Sequence, residues 1–215
     1  MDPAGHSEEK MRPHVWSTLL LGLLLLSSAV TASAQAEKPP AAPAPPSATA
    51  PPTSGFRAEF LGQLAELEKK VVSLAEAMPQ EKYTWRPAEG VRSAGEVFGH
   101  MARGNYGFPT FVGVQPPAGI DPRGLEKITD KAKLMEALKQ SFEHVRQAAL
   151  KIPDADLDKP TKMFGHQTTV RDVFFTMATH MHEHLGQVIA YARMNGVVPP
   201  WTAARQTQQQ EKAKQ

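Results

Sequence analysis

The sequence contains no cysteine among its 215 residues. This absence excludes disulfide bonds, thiolate metal ligands, cysteine nucleophiles, covalent c-type haem and a lipid-modified N-terminal cysteine. Neither sign of charge predominates strongly, because the 24 Lys and Arg residues nearly balance the 22 Asp and Glu residues. The formal net charge is +2. The basic residues are scattered, so we expect no nucleic-acid partner. Alternating β-branched runs are scarce, which favours an all-α fold.

The first 34 residues have the layout of a secretory signal peptide. Lys10 and Arg12 precede the apolar run 19–26, and Ala32 and Ala34 supply an A-x-A cleavage site. The alternative is an uncleaved membrane anchor, because residues 15–34 are nearly long enough to span a bilayer. The densest apolar core is short, so we expect cleavage and export, either to a periplasm or as a secreted protein.

Two polar segments flank the predicted domain. Residues 35–54 consist mainly of Pro, Ala, Ser and Thr, which bury little apolar surface, and they are predicted to form a disordered linker. Residues 203–215 are rich in Gln and Lys, lack apolar periodicity and are predicted to form a disordered tail. Residues 55–202 remain, enough for one domain with a single core.

Four segments with helical periodicity fill this domain and predict a four-helix bundle. The first ends at Pro79, the second opens with a capping box over residues 93–96, the third ends at Pro153, and the fourth opens with a second capping box at Thr169. The residues between the third and fourth helices, which include Gly165, are predicted to form a loop.

Three histidines on two of these helices are the most informative pattern, and we call His100, His180 and His184 the histidine triad. His180 and His184 lie four residues apart, so their Cβ atoms are about 5–6 Å apart on one helix face. That spacing allows one helix to supply two imidazoles to a metal ion. His100 supplies a third nitrogen if its helix is a neighbour. The alternative is three core histidines, each with its own hydrogen-bond partners.

Other polar residues of the fourth helix accompany the histidine pair. Gln187, Glu183 and Tyr191 lie along or beside the same face and are candidates to orient the imidazoles or to contact a ligand. Ordinary hydrogen bonding between helices is the alternative role for them. His182 and His144 are predicted to face solvent.

The order of these motifs resembles the DinB-like family. The resemblance rests on H-x3-H-L-G-Q over residues 180–187 and on W-R-P at residues 85–87, which leads to His100. It covers nearly the whole predicted domain. The resemblance implies a four-helix bundle in which the histidine triad holds a divalent metal ion, and Zn, Ni, Fe and Mn all remain open.

The resemblance also implies a range of activities. Family members include transferases and isomerases that use thiols such as bacillithiol and mycothiol, and others are described as metal-dependent hydrolases. We therefore expect a small-molecule substrate, with a thiol as one candidate, and a metal that activates a thiol or water. Three imidazoles leave a coordination position open, and Gly104, one turn after His100, is predicted to leave room for a ligand.

Rival functions remain open at this point. A non-catalytic metal-binding or stress-related bundle is the main alternative. A haem-binding bundle is less favoured, because three histidines would overfill two axial positions. Membrane contact is expected only through an uncleaved signal segment, and a homodimer is compatible with the sequence.

Overall fold

A computed structural model describes residues 51–214 of the protein. The predicted signal peptide and residues 35–50 of the predicted linker lie outside the described residues. Within residues 51–214, no helix combines the length and the apolar character needed to cross a membrane.

The described residues form five α-helices and one β-hairpin. In chain order these are α1 (Gly55–Ala77), α2 (Ala94–Gly107), α3 (Lys131–Lys151), β1 (Pro160–Met163), β2 (His166–Thr169), α4 (Val170–Met194) and α5 (Pro200–Ala213). Two short 3₁₀ segments, Phe108–Val112 and Pro122–Lys127, lie between α2 and α3 and help to build the site.

Helices α1 to α4 pack together around a common core. Both α1 and α2 contact α3 and α4, so the four helices form a bundle. Their buried apolar side chains form one continuous cluster. Each helix buries a stripe with three- and four-residue spacing, and in α1 this stripe is Phe60, Leu64, Leu67, Val71 and Leu74. The fold is therefore mainly helical, as the periodicity predicts.

Local capping motifs position the starts of the two helices that carry the site. The Ser93 hydroxyl accepts from the Glu96 backbone N–H, and the Glu96 carboxylate accepts from the Ser93 N–H, so the predicted capping box of α2 is complete. At α4 only half of the predicted box forms. The Thr169 hydroxyl accepts from the Asp172 N–H, but the Asp172 carboxylate accepts from the Thr168 hydroxyl instead.

The segment between α3 and α4 is a β-hairpin and not the predicted loop. Strands β1 and β2 pair antiparallel with Met163 opposite His166, which leaves Phe164 and Gly165 as a two-residue turn. Both turn residues have positive φ, +50° and +85°, as the primed turns of two-residue hairpins require. The strands are only four residues long and have no apolar alternation, so the pattern gave no indication of them.

The predicted disordered tail is also different in the structure, because most of it belongs to helix α5. Pro200 suits the first turn of a helix, and the Ala, Gln, Arg and Lys residues that follow favour helix. Trp201 packs against the core, whereas residues 203–214 are exposed. A single apolar contact at the start of α5 is too weak a signal to appear as periodicity in a polar segment.

Candidate metal centre

The histidine triad comes together where α2 packs against α4. Each of the three imidazoles offers a ring nitrogen, and these nitrogens lie within 4.8 Å of one another. The Nε2 atoms of His100 and His180 are 3.2 Å apart. His184 is buried, and the other two rings are half-buried. The bundle therefore brings residues 80 positions apart in the chain to one point, which requires the two helices to be neighbours.

Gly104 makes this convergence sterically possible. A Cβ atom at Gly104 would lie 2.6 Å from Cε1 of His180, far closer than carbon atoms that are not bonded approach each other. The missing side chain thus accommodates the His180 ring. Gly104 does border an open cleft, in line with the predicted room for a ligand, but the place of its own side chain is taken by the His180 ring.

Hydrogen bonds fix the orientation of two of the imidazoles. His100 Nδ1 donates to Glu126 Oε1 at 3.0 Å, and His184 Nδ1 donates to Gln187 Oε1 at 2.9 Å. Gln187 Nε2 in turn donates to the Tyr191 hydroxyl at 2.9 Å, which holds the amide in this orientation. With the proton on Nδ1 of a neutral ring, Nε2 is unprotonated and its lone pair points to the other imidazoles of the triad. Carboxylate or amide support on the far nitrogen is typical of metal-ligating histidines.

Glu126 is the site residue that the sequence did not indicate. It lies in the Pro122–Lys127 segment and also accepts hydrogen bonds from Arg92 at 3.1 Å and from Arg103 at 2.8 Å. Partial burial raises the pKa of Glu126, but the hydrogen bonds from His100, Arg103 and Arg92 outweigh it and lower the pKa to about 2. Glu126 is therefore an anion at neutral pH. It has no periodic relation to the triad, so no sequence pattern marks it.

Burial favours the neutral form of two of the imidazoles, those of His180 and His100. Burial, together with the nearby His184 and His100, lowers the pKa of His180 to about 4. Burial also lowers the pKa of His100, although its hydrogen bond to Glu126 opposes this. Neutral imidazoles are the form that binds a metal ion.

The remaining predicted residues have different surroundings. Glu183 is exposed at the edge of the site, and within residues 51–214 it makes no hydrogen bond to the triad. His182 is exposed, as predicted. His144 is not solvated as predicted: it is half-buried, its ring centroid is 5.1 Å from that of Tyr106, and its buried Nε2 has no hydrogen-bond partner among the described residues.

A cleft of about 880 Å³ opens beside His100 and His180. Three phenylalanines form one side of it, which we call the phenylalanine wall: Phe108, Phe111 and Phe164. Charged and hydroxyl side chains complete the lining. His100 and His180 are therefore accessible to a small molecule from outside the bundle, and the triad is not enclosed on all sides like a purely structural metal site.

Together, the helical bundle and the three converging imidazoles define a class of protein with a candidate metal centre in a bundle core. The family model of the DinB superfamily matches residues 63–188, more than half of the chain. The chain therefore belongs to the DinB superfamily, which confirms the resemblance seen in its motifs.

Solved structures agree with this assignment at the level of the fold. A DinB-like protein from Bacillus cereus ATCC 10987 is 17% identical, with a TM-score of 0.59 over 66% of this chain and 93% of that one. A DinB-like protein from Bacillus subtilis is 21% identical, with a TM-score of 0.52 over 64% of this chain and 92% of that one. A comparison with curated proteins finds no match.

Proposed function

We propose that the histidine triad binds one divalent metal ion and that the protein is a metal-dependent transferase or hydrolase. The observation that carries this proposal is the donor set. The Nδ1 donors of His100 and His184 are committed to Glu126 and Gln187, so two Nε2 lone pairs and a third imidazole share one small space. Such a set fits a divalent cation and leaves a coordination position open.

The accessible cleft favours an enzyme over a closed binding module. A structural metal site saturates its ligands and needs no ligand-sized space beside them, whereas His100 and His180 border a cleft of about 880 Å³. A divalent metal there would lower the pKa of a bound thiol or water and supply a nucleophile near neutral pH. Glu126 and Gln187 hold the ligands, and the phenylalanine wall limits the access of water to a bound substrate.

We also propose that the protein is exported, on the strength of the signal-peptide pattern. Export favours water over a low-molecular-weight thiol as the activated group, because such thiols are kept reduced in the cytoplasm. The fold itself is compatible with either chemistry.

Elemental analysis of the purified protein tests the metal proposal. We expect about one metal ion per chain after loading with Zn, Ni, Fe or Mn in turn, and well below one when any triad histidine is replaced by alanine. His182→Ala is the matched control, because His182 lies in the same helix but is exposed. A His100→Ala variant with full metal content would contradict the proposal.

A substrate screen in two arms, thiol conjugation and hydrolysis, then tests catalysis. Turnover should appear in one arm, require the metal and disappear in His180→Ala. A metal-loaded protein that is inactive in both arms would instead favour the non-catalytic metal-binding bundle.

A further inference from the structure

Phe164 occupies a backbone position that disfavours it. Its φ of +50° makes it the one non-glycine residue in the described part of the chain with positive φ, and L-residues with a bulky side chain are strained there. The two-residue hairpin turn Phe164-Gly165 is of the kind in which Asn-Gly or Asp-Gly is preferred. The turn alone therefore gives no reason for a phenylalanine.

Packing in the protein core does not account for Phe164 either. Its side chain is 66% exposed, the highest value among the exposed large apolar residues described. Its ring contacts Phe111 and Phe108 edge-on, with centroids 5.0 Å and 5.9 Å away. Phe108 contacts His180 in the same manner at 5.1 Å. The phenylalanine wall thus runs without a break from the hairpin turn to the histidine triad.

The charged residues of the cleft do not favour a ligand of either charge. Arg103 and Arg123 lie in the lining with Asp121 and Glu183, two residues of each sign. An electrostatically balanced cleft offers no net attraction to an anion or a cation, so the apolar surface has to provide most of the recognition.

We propose that the cleft binds small organic molecules through an aromatic or flat apolar group, and that Phe164 is a specificity-determining residue for that group. The proposal rests on the proposed function in one respect: it places the bound molecule beside the same triad that would hold the metal. Rings gain from offset or edge contacts with other rings beyond the area they bury. This gain at the ligand explains why a strained, exposed phenylalanine occupies the turn.

The test is a fluorescence titration of the purified protein with N-phenyl-1-naphthylamine, a neutral aromatic probe. Phe164→Asn should raise the dissociation constant of the probe roughly tenfold or more, because it removes the ring contact. The same variant should keep or raise the melting temperature, because asparagine suits the turn. Phe164→Tyr retains the ring and should bind the probe with an affinity close to that of the unmodified protein.

Phe175→Asn is the matched control, because Phe175 is 60% exposed on α4 and does not line the cleft. Its probe affinity should not change. The proposal is overturned if Phe164→Asn binds the probe as well as the unmodified protein does. It is also overturned if that substitution leaves probe affinity intact but dissociates a dimer in sedimentation, since Phe164 would then serve an interface between two copies.

Metal content measured in the same samples separates this proposal from the proposed function. Weak probe binding by Phe164→Asn in protein that takes up no metal would support the ligand class and contradict the metal centre. Normal metal uptake with equal probe affinity in all variants would contradict the ligand class alone.

Discussion

At the scale of single residues, Glu126 is the residue outside the triad that most strongly affects the orientation and the charge of the candidate metal centre. Its carboxylate fixes the tautomer of His100 and places a negative charge beside the ligands. Glu126→Gln keeps the shape but removes the charge, and we expect the metal affinity to fall about 10–100-fold. Competition with a chromophoric chelator measures this. Glu183→Gln, the same change at an exposed position, should have no such effect, and equal losses in the two variants would contradict the role of Glu126.

His144 should make the fold sensitive to acid. Burial lowers its pKa in the folded protein, and Lys151 lowers it further, whereas an unfolded chain has the ordinary value of about 6.5. Below that pH the unfolded state takes up a proton that the folded state does not. The contribution to stability is therefore complete above about pH 6.5 and is lost as pH falls toward the folded pKa.

The variant His144→Phe should consequently lose less melting temperature between pH 7 and pH 5 than the unmodified protein does. Thermal melts in the presence of a chelator measure this difference without interference from metal binding. His182→Phe, at an exposed position, should keep the original pH dependence. If His144→Phe has that same dependence, the half-buried ring is not the origin of the acid sensitivity.

At the scale of elements, the close approach of α2 to the Pro122–Lys127 segment connects packing to the site. A Cβ at Gly99 would lie 2.5 Å from the Leu125 carbonyl oxygen and 2.8 Å from the Glu126 Cα. Gly99→Ala must therefore displace backbone and move Glu126 relative to His100. We expect a loss of about 1–3 kcal/mol in the free energy of unfolding, measured in urea, together with weaker metal binding.

Gly62→Ala is the control for this substitution. Gly62 lies in α1, and a Cβ there would meet nothing within 4 Å. Alanine should be neutral or stabilise the helix by up to about 1 kcal/mol, with no change in metal affinity. Normal metal affinity in a folded Gly99→Ala protein would show that the position of Glu126 does not depend on this contact.

The elements that the sequence predicted are those with local signals. The capping side chains Ser93 and Thr169 and the prolines Pro79 and Pro153 mark helix ends through contacts within a few residues. The β-hairpin depends on positive φ at a phenylalanine that rarely adopts it, and α5 depends on the packing of Trp201. Neither property appears as periodicity, so both elements were missed.

The residues of the candidate site also fall into two groups, those that a local sequence pattern predicts and those that it does not. His180, His184, Gln187 and Tyr191 share one helix, so their common face follows from the helical repeat. The place of Glu126 follows only from how two distant segments pack, since it lies 26 positions after His100 in the chain. The contact of Gly104 with the His180 ring was not predicted for the same reason, because the sequence does not show that this ring crosses to α2.

At the scale of the whole molecule, the three histidines form one site because α2 and α4 are neighbours in the bundle. Periodicity predicts four helices but not their order around the core. The triad itself favoured this pairing, because only adjacent helices allow His100 to meet the other two imidazoles. The bundle satisfies that condition through the contacts of α2 with α4, and the resemblance to the DinB-like family predicted the same result.

The last prediction concerns processing of the whole chain. The small residues Ala32 and Ala34 suit cleavage by a signal peptidase, so the exported protein should begin at Gln35, as measured by intact mass. Ala34→Asp should block cleavage and retain residues 1–34 in a membrane fraction. Membrane retention of the unmodified chain with these residues intact would contradict cleavage and establish the anchor.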